Sequence, residues 1–165
     1  MTTLAEFHAL PADEAERLVA PCVAIPSWAT GLVAARPYAD LDDLLATAES
    51  LAAAWTDEEV AGALADHPRI GERHSGDGTS AALSAREQAG VDPADAEVQA
   101  RLRAGNAAYE ERFGRIYLVR AAGRSAEEML ELLEERLGND PATEIAVTRA
   151  QLAEIALLRL RGLVA

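Results

Sequence analysis

Between positions 66 and 76 the chain reads Asp66-His67-Pro68-Arg69-Ile70-Gly71-Glu72-Arg73-His74-Ser75-Gly76, which gathers two of its three histidines with arginines and carboxylates. These are side chains for moving protons and holding anions. Pro68 and the two glycines break any helix running through, and a residue directly before proline is pushed away from the αR region. His67 is therefore expected at or just past a helix end, projecting from a loop carried by a rigid scaffold. Because imidazole titrates near neutral pH, His67 is the leading acid–base candidate. The negative end of the preceding helix, together with Asp66, favours its protonated form and a proton-donating role. The plainer alternative is that His67 caps that helix end by hydrogen bonding a carbonyl. Arg69, Arg73 and the more distant Arg86 are candidates to receive an anionic substrate. Any one of them could equally be a solvated surface arginine or, within the loop, a partner of Glu72.

A second group lies downstream. Ser84 and Glu87 are three residues apart on one helix face, with Gln88 adjoining at four. Hydroxyl, carboxylate and amide together offer donors and acceptors, which suits a flat substrate edged with N–H and C=O groups. Ser84-Ala85-Arg86-Glu87 is also a legal capping box, in which case a helix would simply begin at Ser84. Periodicity leaves both readings open. A metal is not expected: His67, Glu72 and His74 match no standard ligand spacing, and Pro68 and Gly71 interrupt the helix that would align them. Glycine-rich phosphate loops, Gly-x-Ser-x-Gly elbows and His-Glu-x-x-His pairs are missing from the sequence.

The elements that must position these groups read as helices. Pro11–Cys22 is predicted as a first helix, and Pro26 opens a second through Trp28, Leu32 and Val33 that ends before Pro37. Asp40 caps a third, whose apolar positions from Leu41 to Trp55 follow the helical period. Thr56-Asp57-Glu58-Glu59 is a capping box, and the helix it starts delivers His67 from its last turn. Further helices are expected from about Ser80 to Gly90, from Pro93 and Asp95 to Phe113, from a second capping box at Ser125 to Gly138, and from Pro141 towards the C-terminus. Arg115 to Arg120 is the single β-like run. One strand cannot make a sheet, so it is expected as a buried extended connector or an irregular helix start. The expectation is an all-α fold, a single-domain compact bundle of about eight helices with one short extended connector, spanning residues 1–165.

Composition agrees. Alanine, leucine, glutamate and arginine dominate and aromatics make up 4%, which favours helix over sheet. A net charge of -13, from 15 basic and 28 acidic residues, argues against nucleic-acid binding. No apolar run approaches the about eighteen residues of a membrane span, and the N-terminus lacks signal-peptide features, so a cytoplasmic protein without membrane contact is expected. The lone Cys22 is read as a small core residue, and Trp28 likewise as core.

Taken together, His67-Pro68-Arg69-Ile70-Gly71-Glu72, Ser84 with Glu87-Gln88-Ala89-Gly90, and Phe113-Gly114 leading into Ile116-Tyr117-Leu118-Val119 resemble successive signatures of the 2-oxo-4-hydroxy-4-carboxy-5-ureidoimidazoline (OHCU) decarboxylase family. Trp28, Arg36-Pro37-Tyr38, Arg136-Leu137 with Asn139 and Glu144, and Ile155 with Arg159 extend the likeness over most of the chain. The resemblance implies an all-helical carboxy-lyase of urate breakdown, a homodimer, converting its anionic ureidoimidazoline substrate to (S)-allantoin with no metal or organic cofactor. It places the catalytic histidine on His67 and a second catalytic role on Glu87. Substrate contacts fall on Pro68, Ser84 and Gln88 and on the backbone of Ile116, Leu118 and Val119. Arg120 is the candidate for the substrate carboxylate, although some members carry an arginine two positions later, where this chain has Ala121-Ala122-Gly123. The competing readings are a non-catalytic helical interaction module, for which an acidic surface and amphipathic helices suffice, and a different small-molecule lyase on the same scaffold.

Overall fold

The structure is a computed structural model and describes residues 1–70, 79–88 and 95–165. Gly71 to Gly76, Gly90 and Pro93 lie outside the described residues, as does the side chain of Gln88. The described residues form nine α-helices: α1 (Leu4–Ala9), α2 (Ala12–Val19), α3 (Pro26–Ala34), α4 (Leu41–Ala53), α5 (Asp57–Leu64), α6 (Thr79–Gln88), α7 (Ala96–Phe113), α8 (Ala126–Arg136) and α9 (Pro141–Leu163). They contain no strand, and an isolated parallel bridge pairs Thr2 with Val164. The all-α expectation holds, with one helix more than predicted. The chain divides into two units, residues 1–63 with 152–165 and residues 64–151, so that α9 contributes to both.

Local chemistry sets most helix starts. The Asp40 carboxylate accepts from the Asp43 N–H at 2.9 Å at the start of α4. Thr56 and Glu59 exchange both bonds of their capping box at 3.1 Å each, and Asp95 and Ser125 cap α7 and α8. The expected Pro11–Cys22 helix is shorter than predicted. It stops at Val19 and tightens into a 3₁₀ turn over Ala20–Cys22, because Pro21 has no N–H to continue the α-helical ladder.

In the first unit α1 was not anticipated, although Thr3-Leu4-Ala5-Glu6 is a complete capping box, with Thr3 N–H to Glu6 Oε2 at 2.7 Å and Glu6 N–H to Thr3 Oγ1 at 3.2 Å. Six residues carry too little periodicity to announce themselves, and the helix depends on distant partners. Arg36 Nη1 donates to the carbonyls of Phe7 at 2.6 Å and Leu10 at 3.0 Å, while its Nε reaches the Val33 carbonyl at 3.1 Å. One guanidinium thus satisfies the open carbonyl ends of α1 and α3 together. Tyr38 reinforces the joint by donating from Oη to the Leu32 carbonyl at 2.6 Å. Trp28, 1% exposed, donates Nε1–H to the Ala48 carbonyl at 3.0 Å and packs edge-on against Trp55. Cys22 is fully buried, and burial pushes its thiol up to about 12. Both Cys22 and Trp28 are core, as predicted.

The second unit is built around the contact of α7 with α8. Val98, Leu102 and Tyr109 of α7 meet Met129, Leu130 and Leu133 of α8, and Ile70, Tyr117, Val119 and Ala121 complete the same core. Gly114 ends α7 in the left-handed region at φ 71°, which turns the chain into the extended run beyond it.

Candidate functional site

Every candidate site residue belongs to the second unit. The last turn of α5 ends at Leu64, whose carbonyl accepts the backbone N–H of His67 at 3.1 Å. The main chain of His67 therefore closes this helix end, and its imidazole and Pro68 are half-buried on the loop beyond. Arg69 forks onto Glu110 of α7, with Nε to Oε1 at 2.5 Å and Nη2 to Oε2 at 3.3 Å. At the buried end of this stretch, Asn106 Nδ2 donates to the Ile70 carbonyl at 3.4 Å. Asn106 is 6% exposed, its Oδ1 has no partner among the described residues, and with Gln99 and Arg103 the residue lines a polar cavity of about 330 Å³. Of the other arginines proposed for an anion, Arg86 is exposed and Arg73 lies outside the described residues.

Ser84 and Glu87 lie inside α6, which has already begun at Thr79. The capping-box alternative at Ser84 is therefore not used, and the two residues share one helix face as the spacing allowed. Ser84 is 3% exposed and Glu87 half-buried. A deeply buried hydroxyl beside a partly open carboxylate is a donor–acceptor pair suited to an amide-rich ligand.

Residues 116–121 are neither helix nor strand and have no strand partner among the described residues, in keeping with the expected connector. Leu118 and Val119 are each 3% exposed, whereas Ile116 and Arg120 are half-buried. With the Leu118 and Val119 side chains in the core, what this stretch can offer a ligand is its peptide groups. Arg120 is drawn onto its own turn: Nη1 donates to the Ala122 carbonyl at 2.9 Å, just before Gly123 at φ 77°. Its backbone N–H donates to Gln151 Oε1 at 2.9 Å.

Beneath this stretch is a buried ion pair between Arg136 and Glu144. Arg136 donates from Nε and Nη2 to Glu144 Oε1 at 2.8 and 2.6 Å, and from Nη1 to the Leu118 carbonyl at 2.5 Å. Tyr109 Oη donates to the same Glu144 oxygen at 2.5 Å, and Asn139 Nδ2 to the other at 3.0 Å. Burial works to raise the Glu144 pKa, but the bonds from Arg136, Tyr109 and Asn139 outweigh it and hold the carboxyl below its ordinary value. Burial, seconded by the bond to Glu144, raises the Tyr109 phenol. A signal for the pair was present. Arg136 continues the buried Met129–Leu133 stripe of α8 at helical spacing, where an apolar residue would ordinarily stand.

This arrangement of helices is shared with solved proteins. The chain aligns with a crystal structure of OHCU decarboxylase in the presence of (S)-allantoin at a TM-score of 0.70 and 23% identity, covering 87% of this chain and 94% of that one. It aligns with a crystal structure of (S)-allantoin synthase at 0.75 and 16%, covering 100% of this chain and 54% of that one. These likenesses define the class, an all-α fold shared with those two proteins. Sequence supplies the family. Residues 8–161 match the OHCU decarboxylase family model. The chain is 34% identical over 146 residues to 2-oxo-4-hydroxy-4-carboxy-5-ureidoimidazoline decarboxylase of Amia calva, covering 87% of this chain and 81% of that protein. To the decarboxylase of the same name from Mus musculus it is 30% identical over 145 residues, covering 87% and 79%. The chain belongs to the OHCU decarboxylase family.

Proposed function

We propose that this protein is a carboxy-lyase that converts 2-oxo-4-hydroxy-4-carboxy-5-ureidoimidazoline to (S)-allantoin in purine catabolism. The observation that carries the proposal is the family match over residues 8–161. It includes the half-buried His67 on its loop and the Ser84–Glu87 face of α6.

The bond between the ring carbon and its carboxylate breaks, and carbon dioxide leaves. The electron pair stays on the ring and is accepted by the adjacent imine, so preorganised donors around the ring lower the barrier. The imine nitrogen takes up a proton, the 4-hydroxyl gives up its own as it becomes the carbonyl of allantoin, and a proton added to the ureido-bearing carbon from one face sets the S configuration. His67 holds the 4-hydroxyl and carboxylate in line for this cleavage. Glu87 and Gln88 take the ureido and ring N–H groups, Ser84 supplies a hydroxyl beside them, Pro68 shapes the wall, and peptide groups of Ile116, Leu118 and Val119 close the far side. Arg120 is the candidate partner for the substrate carboxylate.

The protein acts as one domain, since the family match runs through both units. It works in the cytoplasm, and as a homodimer without a cofactor, as the family resemblance implies. No helix among the described residues is long and apolar enough to cross a membrane, and the charge of -13 opposes nucleic-acid binding.

Freshly oxidised urate treated with hydroxyisourate hydrolase provides the substrate. The protein is expected to accelerate appearance of the (S)-allantoin circular-dichroism signal, and His67→Asn to abolish the acceleration while leaving the helical spectrum intact. Racemic product at the background rate with the parent protein would overturn the assignment. Full turnover by the variant would remove His67 from the mechanism.

A further inference from the structure

We propose that Arg136 and Glu144 are positioning residues for the substrate-lining stretch, the ion pair acting through the Leu118 carbonyl to set the peptide groups of residues 116–119. The inference rests on the reading that this stretch lines the substrate pocket, and it names what shapes it.

Residues 116–121 have no strand neighbour among the described residues and so no ladder there to fix their peptide planes, a task that falls to side chains. The segment is held at successive points. Tyr117 Oη donates to the Met129 carbonyl at 2.9 Å, Leu118 C=O accepts from Arg136 Nη1 at 2.5 Å, and Arg120 N–H donates to Gln151 Oε1 at 2.9 Å. Of these contacts, the one to Leu118 grips a peptide group in the middle of the stretch. The Leu118 carbonyl and the Val119 N–H belong to one rigid peptide plane, so fixing the oxygen also fixes the direction of the neighbouring donor.

The grip is itself rigid. The side chains of Arg136 and Glu144 are 6% and 0% exposed, and Nε and Nη2 are spent on the carboxylate, which leaves Nη1 aimed at Leu118. The guanidinium also lies over the Tyr117 ring at 4.8 Å and the Tyr109 ring at 5.9 Å, which hold its plane. Tyr109, Asn139 and Thr148 surround the pair with further hydrogen bonds. An apolar pair of similar volume would serve a core as well or better, because desolvating two charges commonly cancels their attraction. What apolar side chains cannot supply is a directed donor at a main-chain oxygen.

The test uses the full chain. Arg136→Met with Glu144→Leu removes both charges together, so that neither is left buried alone, and is expected to keep a cooperative thermal transition. Amide hydrogen exchange without substrate should then quicken over residues 115–121 and stay unchanged in α4. In the decarboxylation assay KM should rise about tenfold with kcat held within about threefold, the pattern for loss of a binding surface that acts equally on ground and transition states. Arg136→Lys keeps the charge but lacks the fork to reach Glu144 and Leu118 together, and it should show the same KM effect in smaller measure. Parental exchange rates and parental KM in a folded double variant would overturn the proposal, as would a fall in kcat alone. Should the double variant not fold, parental KM in Arg136→Lys overturns it and a raised KM supports it. Because exchange is read without substrate, the positioning claim can stand or fall separately from the reaction: a parent protein without decarboxylase activity would sink the function and not the clamp.

Discussion

Replacing Glu144 by glutamine keeps the side chain's volume and one carbonyl oxygen while deleting the charge opposite Arg136. In the parent, Glu144 Oε1 accepts from Arg136 Nε, Arg136 Nη2 and Tyr109 Oη within 2.8 Å. The other oxygen accepts from Asn139 at 3.0 Å, and in the variant an amide N–H would face that donor. With both side chains buried, the guanidinium is left without its counter-charge, which costs about 3–5 kcal/mol. For a chain of this length about 2–4 °C is lost per kcal/mol, so the melting temperature should fall by roughly 6–20 °C. Urea unfolding followed by far-UV circular dichroism measures the loss directly. Arg136→Met should cost a similar amount, and the apolar double variant should recover most of it, since the two costs have one origin.

Acid supplies an independent arm. Because the folded Glu144 carboxyl lies below its ordinary value of 4.5, unfolding takes up a proton in the acid range. The stabilisation is therefore complete above pH 4.5 and disappears as pH falls through the folded value. The gap between parent and Glu144→Gln should be widest at neutral pH and close below pH 4.5. A neutral-pH cost under about 1 kcal/mol, the worth of an exposed pair, or a gap unchanged in acid, would refute the reasoning.

Two other perturbations test the first unit. Arg36→Ala removes the donor shared by the carbonyls of Phe7, Leu10 and Val33 and should cost about 1.5–3 kcal/mol, the range for hydrogen bonds involving a charged group. Arg36→Lys should recover only part of it, because a single ammonium cannot span both helix ends; full recovery in the urea midpoint would contradict the shared-cap account. Cys22, fully buried with its thiol pushed up to about 12, should resist aromatic disulfide reagents in the native state and label fully in denaturant. A rapid native-state burst of labelling would show that the thiol is not enclosed.

How much of this was legible beforehand depended on the range of the interaction responsible. Helix starts at Asp40, Thr56, Asp95 and Ser125 were readable because a cap is made between residues two or three apart. A helix stop close to His67 was readable for the same reason, since Pro68 acts on its immediate neighbour, but the helix expected to deliver His67 from its last turn ends three residues earlier, at Leu64. The candidate site was legible as residue types at suitable spacing. Whether Ser84 begins a helix or lies within one was not, because both readings satisfy the same local rules and only the start of α6 at Thr79 separates them.

By itself, then, the sequence determined the all-α class, most helix boundaries, the place of His67 at a helix end and the motifs that mark the family. These follow from backbone restrictions and from hydrogen bonds closed within a turn or two. Tertiary structure alone decided the rest. It turned Arg36, read only as part of a motif, into the cap that lets a six-residue helix persist at Leu4–Ala9. It also joined Arg136 to Glu144 and both to the peptide of Leu118. The carbonyl of Leu118 lies 18 residues from the side chain that holds it. Composition and periodicity record that Arg136 stands on a buried stripe, but which distant acceptors satisfy its guanidinium is settled only when the helices pack.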